Sequence, residues 1–258
     1  GGGRGGGGGG GGGGGVHRGR SAEGCAQGWR PDGGDDRAAR HAGRMPTIPE
    51  SLRAAAERQW QVVTTAQCRA AGVEASWIDR RVRTGQWQRL HRGVLVTHSG
   101  PVPWRAHAWA ALAVCGAGAA LSHESAGYLH EIIPSAPRII TVTIPHERRV
   151  TPGTGLIVVR RRTMPPSYGR LRTVDRPTTV LDLVAAAASE DQAIAILCAA
   201  GRARIWPEEI LGALDRHGRT RRSSMTRELL ALVEAGIESP LELRYHRDVE
   251  RRHRLPAA

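Results

Sequence analysis

Two groups of residues in this chain could do chemistry. His123-Glu124 and His130-Glu131 are candidate metal ligands, and Arg80, Arg81, Arg83, Arg89 and Arg92 are candidate anion binders. A zinc-protease helix needs its second histidine four residues after the first, on the same face, and that position is Gly127. Histidines seven residues apart share a face, but no third ligand is evident, so no metal site is expected. Ser122 and His123 are expected to be a helix N-cap and its neighbour with side chains pointing apart, which leaves no nucleophile–base pair. Gly116 to Gly118 is too short for a phosphate loop and lacks its lysine. Asp182, in DRPTTVLDL, is expected near a helix start, where the dipole favours its charge without any catalytic role. Arg160, Arg161 and Arg162 end a strand, where a solvated charge run competes with an added phosphate-binding surface. No catalytic residue, metal or cofactor is therefore expected.

The arginines have an ordered setting. Thr64 and Gln67 form a capping box that opens a short helix, Thr65 to Ala71. Gly72 can take the left-handed conformation that ends it. Ser76 with Asp79 three residues later is expected to start a second helix, which stops at Gly85. On that helix Ile78 and Val82 face inward. At about 100° per residue the opposite side carries Ser76, Arg80, Arg83 and Thr84, with Trp77 and Arg81 on the flanks. A hairpin follows, with Trp87, Leu90, Val94 and Val96 as its apolar residues and His91-Arg92-Gly93 as its turn. Helix, tight turn, helix and basic hairpin in that order predict a winged helix-turn-helix. Its second helix would enter the major groove of double-stranded DNA and its wing would meet phosphate or the minor groove. The expected DNA-binding residues are Thr65, Ser76, Arg80, Arg81, Arg83, Thr84, Arg89, His91 and Arg92. Between Trp60 and His98 six arginines face only Glu74 and Asp79.

Composition bounds the rest. The chain has 258 residues, a net charge of +13 and a pI near 11.2, enough for two modest domains. All 37 basic residues are arginine, and lysine, asparagine and phenylalanine are absent. Those three have AT-rich codons, so their joint absence points to a very GC-rich bacterial gene. GC pressure also enriches arginine, so the local cluster counts for more than the global charge. No apolar run approaches the ~20 residues of a membrane span, and nothing resembles a secretory signal. The four cysteines form no CxxC pair, which suits a reduced cytoplasm and not a cysteine zinc site.

Residues 1–44 open with a nearly pure glycine run and continue without apolar periodicity, so a disordered tail is expected. Met45 precedes a capping box of Thr47 and Glu50 for a helix from Pro49 to Gln59, and is the expected natural start of translation. The winged-helix domain is placed at 45–98. After Gly100-Pro101 come helices at Trp104 to Cys115 and Ser122 to Glu131, then strands at Arg138 to Ile144 and Leu156 to Arg162. Four helices follow, Pro177 to Ala188, Glu190 to Ala200, Pro207 to His217 and Ser224 to Ala235. The predicted class is α+β, a winged helix-turn-helix followed by a helix-rich mixed α/β domain at 101–236. One more helix begins at Ser239.

Three segments, VTTAQCRAAGVEASWIDRRVRTGQWQRLHRGVLV, WAALAVCGAGAALSHESAGYLHEI and TVDRPTTVLDLVAAA, together resemble the AbiEi-type antitoxin family of bacterial type IV toxin–antitoxin systems, over roughly residues 50 to 200. The resemblance implies a winged-helix regulator that represses its own operon. It further implies a domain that opposes a nucleotidyltransferase-like toxin without forming a tight complex with it. Ser239-Pro240-Leu241-Glu242 resembles the opening helix of a very-short-patch-repair-endonuclease-like domain, so segment 239–258 is expected to be its truncated start. Two carboxylates holding a metal are the minimum for that nuclease chemistry. The acids and lysine that would supply it are not in the chain, so an enzyme is not expected. The competing reading is a remnant of a repair endonuclease that has lost its catalytic domain.

Overall fold

A computed structural model describes residues 48–217 and 222–234, together with positions 242, 245 and 249. The tail expected at 1–44 lies outside the described residues, as does nearly all of segment 239–258. The described chain is α+β, and it belongs to one compact unit, Thr47–Ala258.

Helix α1 (Glu50–Arg58) leads into strand β1 (Val62–Thr64), and helices α2 (Thr65–Ala70) and α3 (Ala75–Arg83) follow. Strands β2 (Gln88–His91) and β3 (Val94–Val96) close the segment as a hairpin. The three strands form an antiparallel sheet in the order β1-β3-β2. The capping box at Thr64 is present: its hydroxyl accepts from the Gln67 N–H, and the Gln67 side chain accepts from the Thr64 N–H. Gly72, at φ +77, ends the α2 turn as a left-handed residue. Two other caps differ from expectation. Pro49 is the N-cap of α1 and offers no side-chain cap, and Glu50 instead pairs with Arg53 at 3.2 Å. The N-cap of α3 is Glu74, in extended conformation, so Ser76 lies inside the first turn and donates its hydroxyl to the Glu74 carboxylate at 3.3 Å.

Strand alternation divides the burial of this sheet. Val63 and Leu95 face the helices and pack with Leu52, Cys68, Ile78 and Trp87. Val62, Val94 and Val96 face the other way, onto Ala106 and Ala110 of helix α4 (Trp104–Cys115). Ala108, Ala111 and Cys115 on another side of α4 pack into the next cluster, around Leu121, Val142 and Ile144. Alanine suits a helix buried on two sides because a short side chain lets both sheets approach its backbone. The predicted boundary at 98–101 is thus spanned by a shared core.

The second sheet has the order β6-β5-β4-β8-β7, built from β4 (Ala120–Leu121), β5 (Ile140–Pro145), β6 (Leu156–Arg161), β7 (Ser167–Tyr168) and β8 (Thr173–Val174). β5 and β6 run parallel over six residue pairs, and β4 joins β5 antiparallel to β8 parallel. Helix α5 (His123–Leu129) follows β4. Helices α6 (Arg176–Ala186), α7 (Glu190–Arg202), α8 (Pro207–His217) and α9 (Ser223–Glu234) gather around Val180, Ile194, Leu197, Ile210 and Leu230. Asp182 lies in the middle of α6, not near its start, so the helix dipole does not account for it. No helix among the described residues is long and apolar enough to cross a membrane.

Candidate nucleic-acid interface

Helix α3 is anchored by one buried residue, Ile78, with Val82 and Trp77 partly buried beside it. That anchoring fixes its outward face. Ser76, Arg80, Arg83 and Thr84 are all exposed, as the helical spacing predicts. The guanidinium groups of Arg80 and Arg83 make no hydrogen bond or ion pair with any described residue. Two free, exposed arginines three positions apart on one face offer two forked donors to an anionic surface.

The other expected residues are partly committed inside the molecule. Arg81 lies over the Trp77 ring at 4.6 Å and bonds the Gln86 side chain. Thr84 turns its hydroxyl back onto the Arg80 carbonyl at 3.0 Å, which spends its donor on the end of the helix. Arg89 on β2 reaches Asp79 of α3 at 3.3 Å, a solvent-exposed pair that ties hairpin to helix and offsets part of its charge. Arg92 sits in the hairpin turn, exposed and with no partner among the described residues, beside Gly93 at φ +76. Thr65 donates its N–H to the Gly93 carbonyl at 2.9 Å, so the turn is seated against the start of α2. His91 is half-buried and turned toward the Gly153 loop. A Cβ on Gly153 would lie 3.0 Å from its Nδ1. Burial first, and the neighbouring His107 second, push the His91 imidazole below its ordinary range, so it is neutral at neutral pH. The structure therefore brings Arg80, Arg83 and Arg92 to the surface with no partner among the described residues, and Ser76 to the surface with its hydroxyl on the Glu74 carboxylate. Thr65, Arg81, Thr84, Arg89 and His91 are placed as their support.

A second polar cluster was not foreseen from sequence. Asp182 is buried in α6, and its Oδ1 accepts from Arg161 at the end of β6. His123 Nδ1 stands 3.8 Å from Asp182 Oδ2 and 3.1 Å from Ser122 Oγ. Ser122 and His123 do not point apart, because His123 adopts φ +50 directly after an extended N-cap. The pair is still no nucleophile and base. Ser122 is fully buried, and hydroxyl and carboxylate approach the same ring nitrogen. His130 is engaged elsewhere, with Nε2 2.7 Å from the Val174 carbonyl, so that nitrogen must carry the proton. The arginine triplet is split by strand alternation: Arg160 and Arg162 are exposed while Arg161 turns inward. Period 2 across the triplet and the shared helical face of Thr178 and Asp182 were the available signals for this cluster.

Residues 50–97 match the family model described as transcriptional regulator, AbiEi antitoxin. No curated protein matches the chain. Among solved structures, the RV2827C protein from Mycobacterium tuberculosis is similar at 18% identity and a TM-score of 0.35, with 73% of this chain and 82% of that chain covered. That likeness is too slight to carry any inference about fold or function. The matched span runs from α1 to the end of β3, so the segment that exposes Arg80, Arg83 and Arg92 is similar to a family of antitoxin transcriptional regulators.

Proposed function

We propose that this protein is a DNA-binding transcriptional regulator whose residues 45–98 act as a winged helix-turn-helix. α3 enters the major groove of duplex DNA, with Arg80 and Arg83 toward base edges or phosphates and Ser76 beside them. The β2–β3 hairpin is the wing, and Arg92 at its turn meets phosphate, with Arg89 and Arg81 as supporting charge. The observation that carries the reading is the free, exposed face of α3 followed at once by a hairpin whose turn is cationic and solvent-facing. The family match over the same residues supports it.

The finer reading follows the family. The protein acts as antitoxin and autorepressor of a type IV toxin–antitoxin operon in a bacterial cytoplasm, and residues 101–236 oppose a nucleotidyltransferase-like toxin without a tight complex. A reporter driven by the gene's own upstream region tests the repressor role. Wild-type protein should silence it, and Arg80→Ala with Arg83→Ala should restore expression at unchanged protein level. Equal silencing by both proteins would remove α3 from the mechanism, and no silencing by either would remove autorepression.

A further inference from the structure

The β5–β6 connection, HERRVTPGTG from His146 to Gly155, joins two strands of the second sheet yet touches the hairpin of the first. The contact is at Gly153, where an added Cβ would fall 3.0 Å from Nδ1 and 3.7 Å from Cε1 of His91. His91 immediately precedes Arg92 in the hairpin turn, so Gly153 meets the residue next to the exposed cation of the wing. A larger residue at 153 would hold loop and hairpin apart, and glycine permits the approach.

The loop is anchored at its base. Arg148 donates to the Ala117 carbonyl at 2.7 Å, and Val150 packs on the cluster around Leu121, Val142 and Ile144. These half-buried residues alternate with Arg149 and Thr151, which are exposed, as in an extended segment. Arg149 makes no hydrogen bond or ion pair with any described residue, and residues 151–155 are all exposed. The N–H groups of Gly153, Thr154 and Gly155 and the hydroxyls of Thr151 and Thr154 also have no partner among the described residues. Arg149 and Thr151 line one hollow of about 430 Å³, together with Arg160 of β6. Glu147 is the only acid in the loop. Arginine, threonine hydroxyls and backbone N–H groups are the donors with which proteins hold DNA phosphates.

We propose that the β5–β6 loop is a second phosphate-contacting element, which meets the DNA backbone beside the phosphate that Arg92 meets. The inference rests on the DNA-binding reading and extends its surface from residues 45–98 into the second sheet. Chain length keeps the two contacts close. Arg149 and Gly153 are four residues apart, at most about 14 Å of extended chain. Charge recurs every ~3.4 Å along each strand of a duplex, so the loop acts within about four base pairs of the wing contact. Phosphate contacts carry no sequence information, so the loop adds affinity on every duplex and leaves base readout to α3.

The test is the slope of log affinity against log salt, measured with the full chain on a duplex of arbitrary sequence. Arg149→Ala should reduce that slope by about 0.9, the share of one phosphate contact, at an unchanged thermal midpoint. Arg149→Glu should weaken binding further. Arg202→Ala removes an exposed charge from α7 and should keep the wild-type slope. A wild-type slope for Arg149→Ala overturns the loop assignment, and a reduced slope for Arg92→Ala in the same series leaves the DNA-binding reading standing. Equal losses for Arg149→Ala and Arg202→Ala overturn the assignment too, because the effect is then one of net charge. Failure of the wild type to bind duplex DNA overturns both.

Discussion

Arg80 and Arg83 differ from Arg81 and Arg89 in what their guanidinium groups already touch. The first two are free on the α3 surface, whereas Arg81 stacks on Trp77 and Arg89 pairs with Asp79. If Arg80 or Arg83 reads a base, its alanine variant loses roughly 1–3 kcal/mol on the operator and much less on random DNA. Arg81→Ala should instead lower stability by about 0.5–1 kcal/mol, the range of an exposed cation–π contact. Binding titrations and thermal melts on the same three variants separate these outcomes. A base-specific loss at Arg81, or none at Arg80 and Arg83, would reverse the assignment. Arg161 belongs to a different class, because it is the only hydrogen-bond partner of the buried Asp182 carboxylate among the described residues. Arg161→Ala should cost about 3 kcal/mol or more, since it leaves a buried charge uncompensated. A denaturant midpoint unchanged by that substitution would show that Asp182 is satisfied without it. At this scale the α3 face was legible from sequence because helical spacing alone decides which side of Ile78 meets solvent. The Ser122–His123–Asp182 grouping was not, because it depends on one backbone angle at His123 and on two elements about sixty residues apart meeting in space.

At the scale of elements, punctuation decided what could be read. Trp104–Cys115 lies between Pro103 and Gly116, and Pro207–His217 opens on its own proline, so both helices have the bounds their flanking residues predict. β1, β4, β7 and β8 have only two or three residues each, too few to display a period of 2, and none was anticipated. α5 is shorter than expected because His130 caps it and Glu131 turns left-handed at φ +61. The hairpin carries its own prediction. With Arg92 free and Arg89 paired to Asp79, Arg92→Ala should reduce the slope of log affinity against log salt by about 0.9, and Arg89→Ala by less. Equal slopes for Arg92→Ala and wild type would mean that the turn does not reach phosphate. α4 carries another. Val62, Val94 and Val96 rest on its Ala106 and Ala110, so a fragment of residues 48–98 would expose a valine face. A fragment of residues 48–115 should melt cooperatively and the shorter one should not. Equal melting of the two would show that the first sheet is stable without α4.

For the whole molecule, burial of neutral imidazoles sets the response to acid. His123, His130 and His217 all have pKa values lowered by burial, so between those values and about 6.5 the unfolded chain binds more protons than the folded one. Their contribution to stability is complete above about pH 6.5 and is lost as pH falls below it. The thermal midpoint should drop from pH 7 toward pH 5, and His217→Gln should flatten that drop. A midpoint that rises on acidification would contradict the neutral state of these rings. The most direct measurement of DNA binding is a fluorescence-anisotropy titration of the full chain at one fixed salt concentration. Its two targets are a duplex from the gene's own upstream region and a scrambled duplex of equal length, each titrated with wild type, Arg80→Ala and Arg83→Ala. Wild type should bind the upstream duplex more tightly, with a preference that shrinks when either arginine is removed and weak residual binding to the scrambled duplex. Absence of binding to either duplex would contradict a DNA-binding role, and equal losses on both duplexes for both variants would contradict base readout by α3.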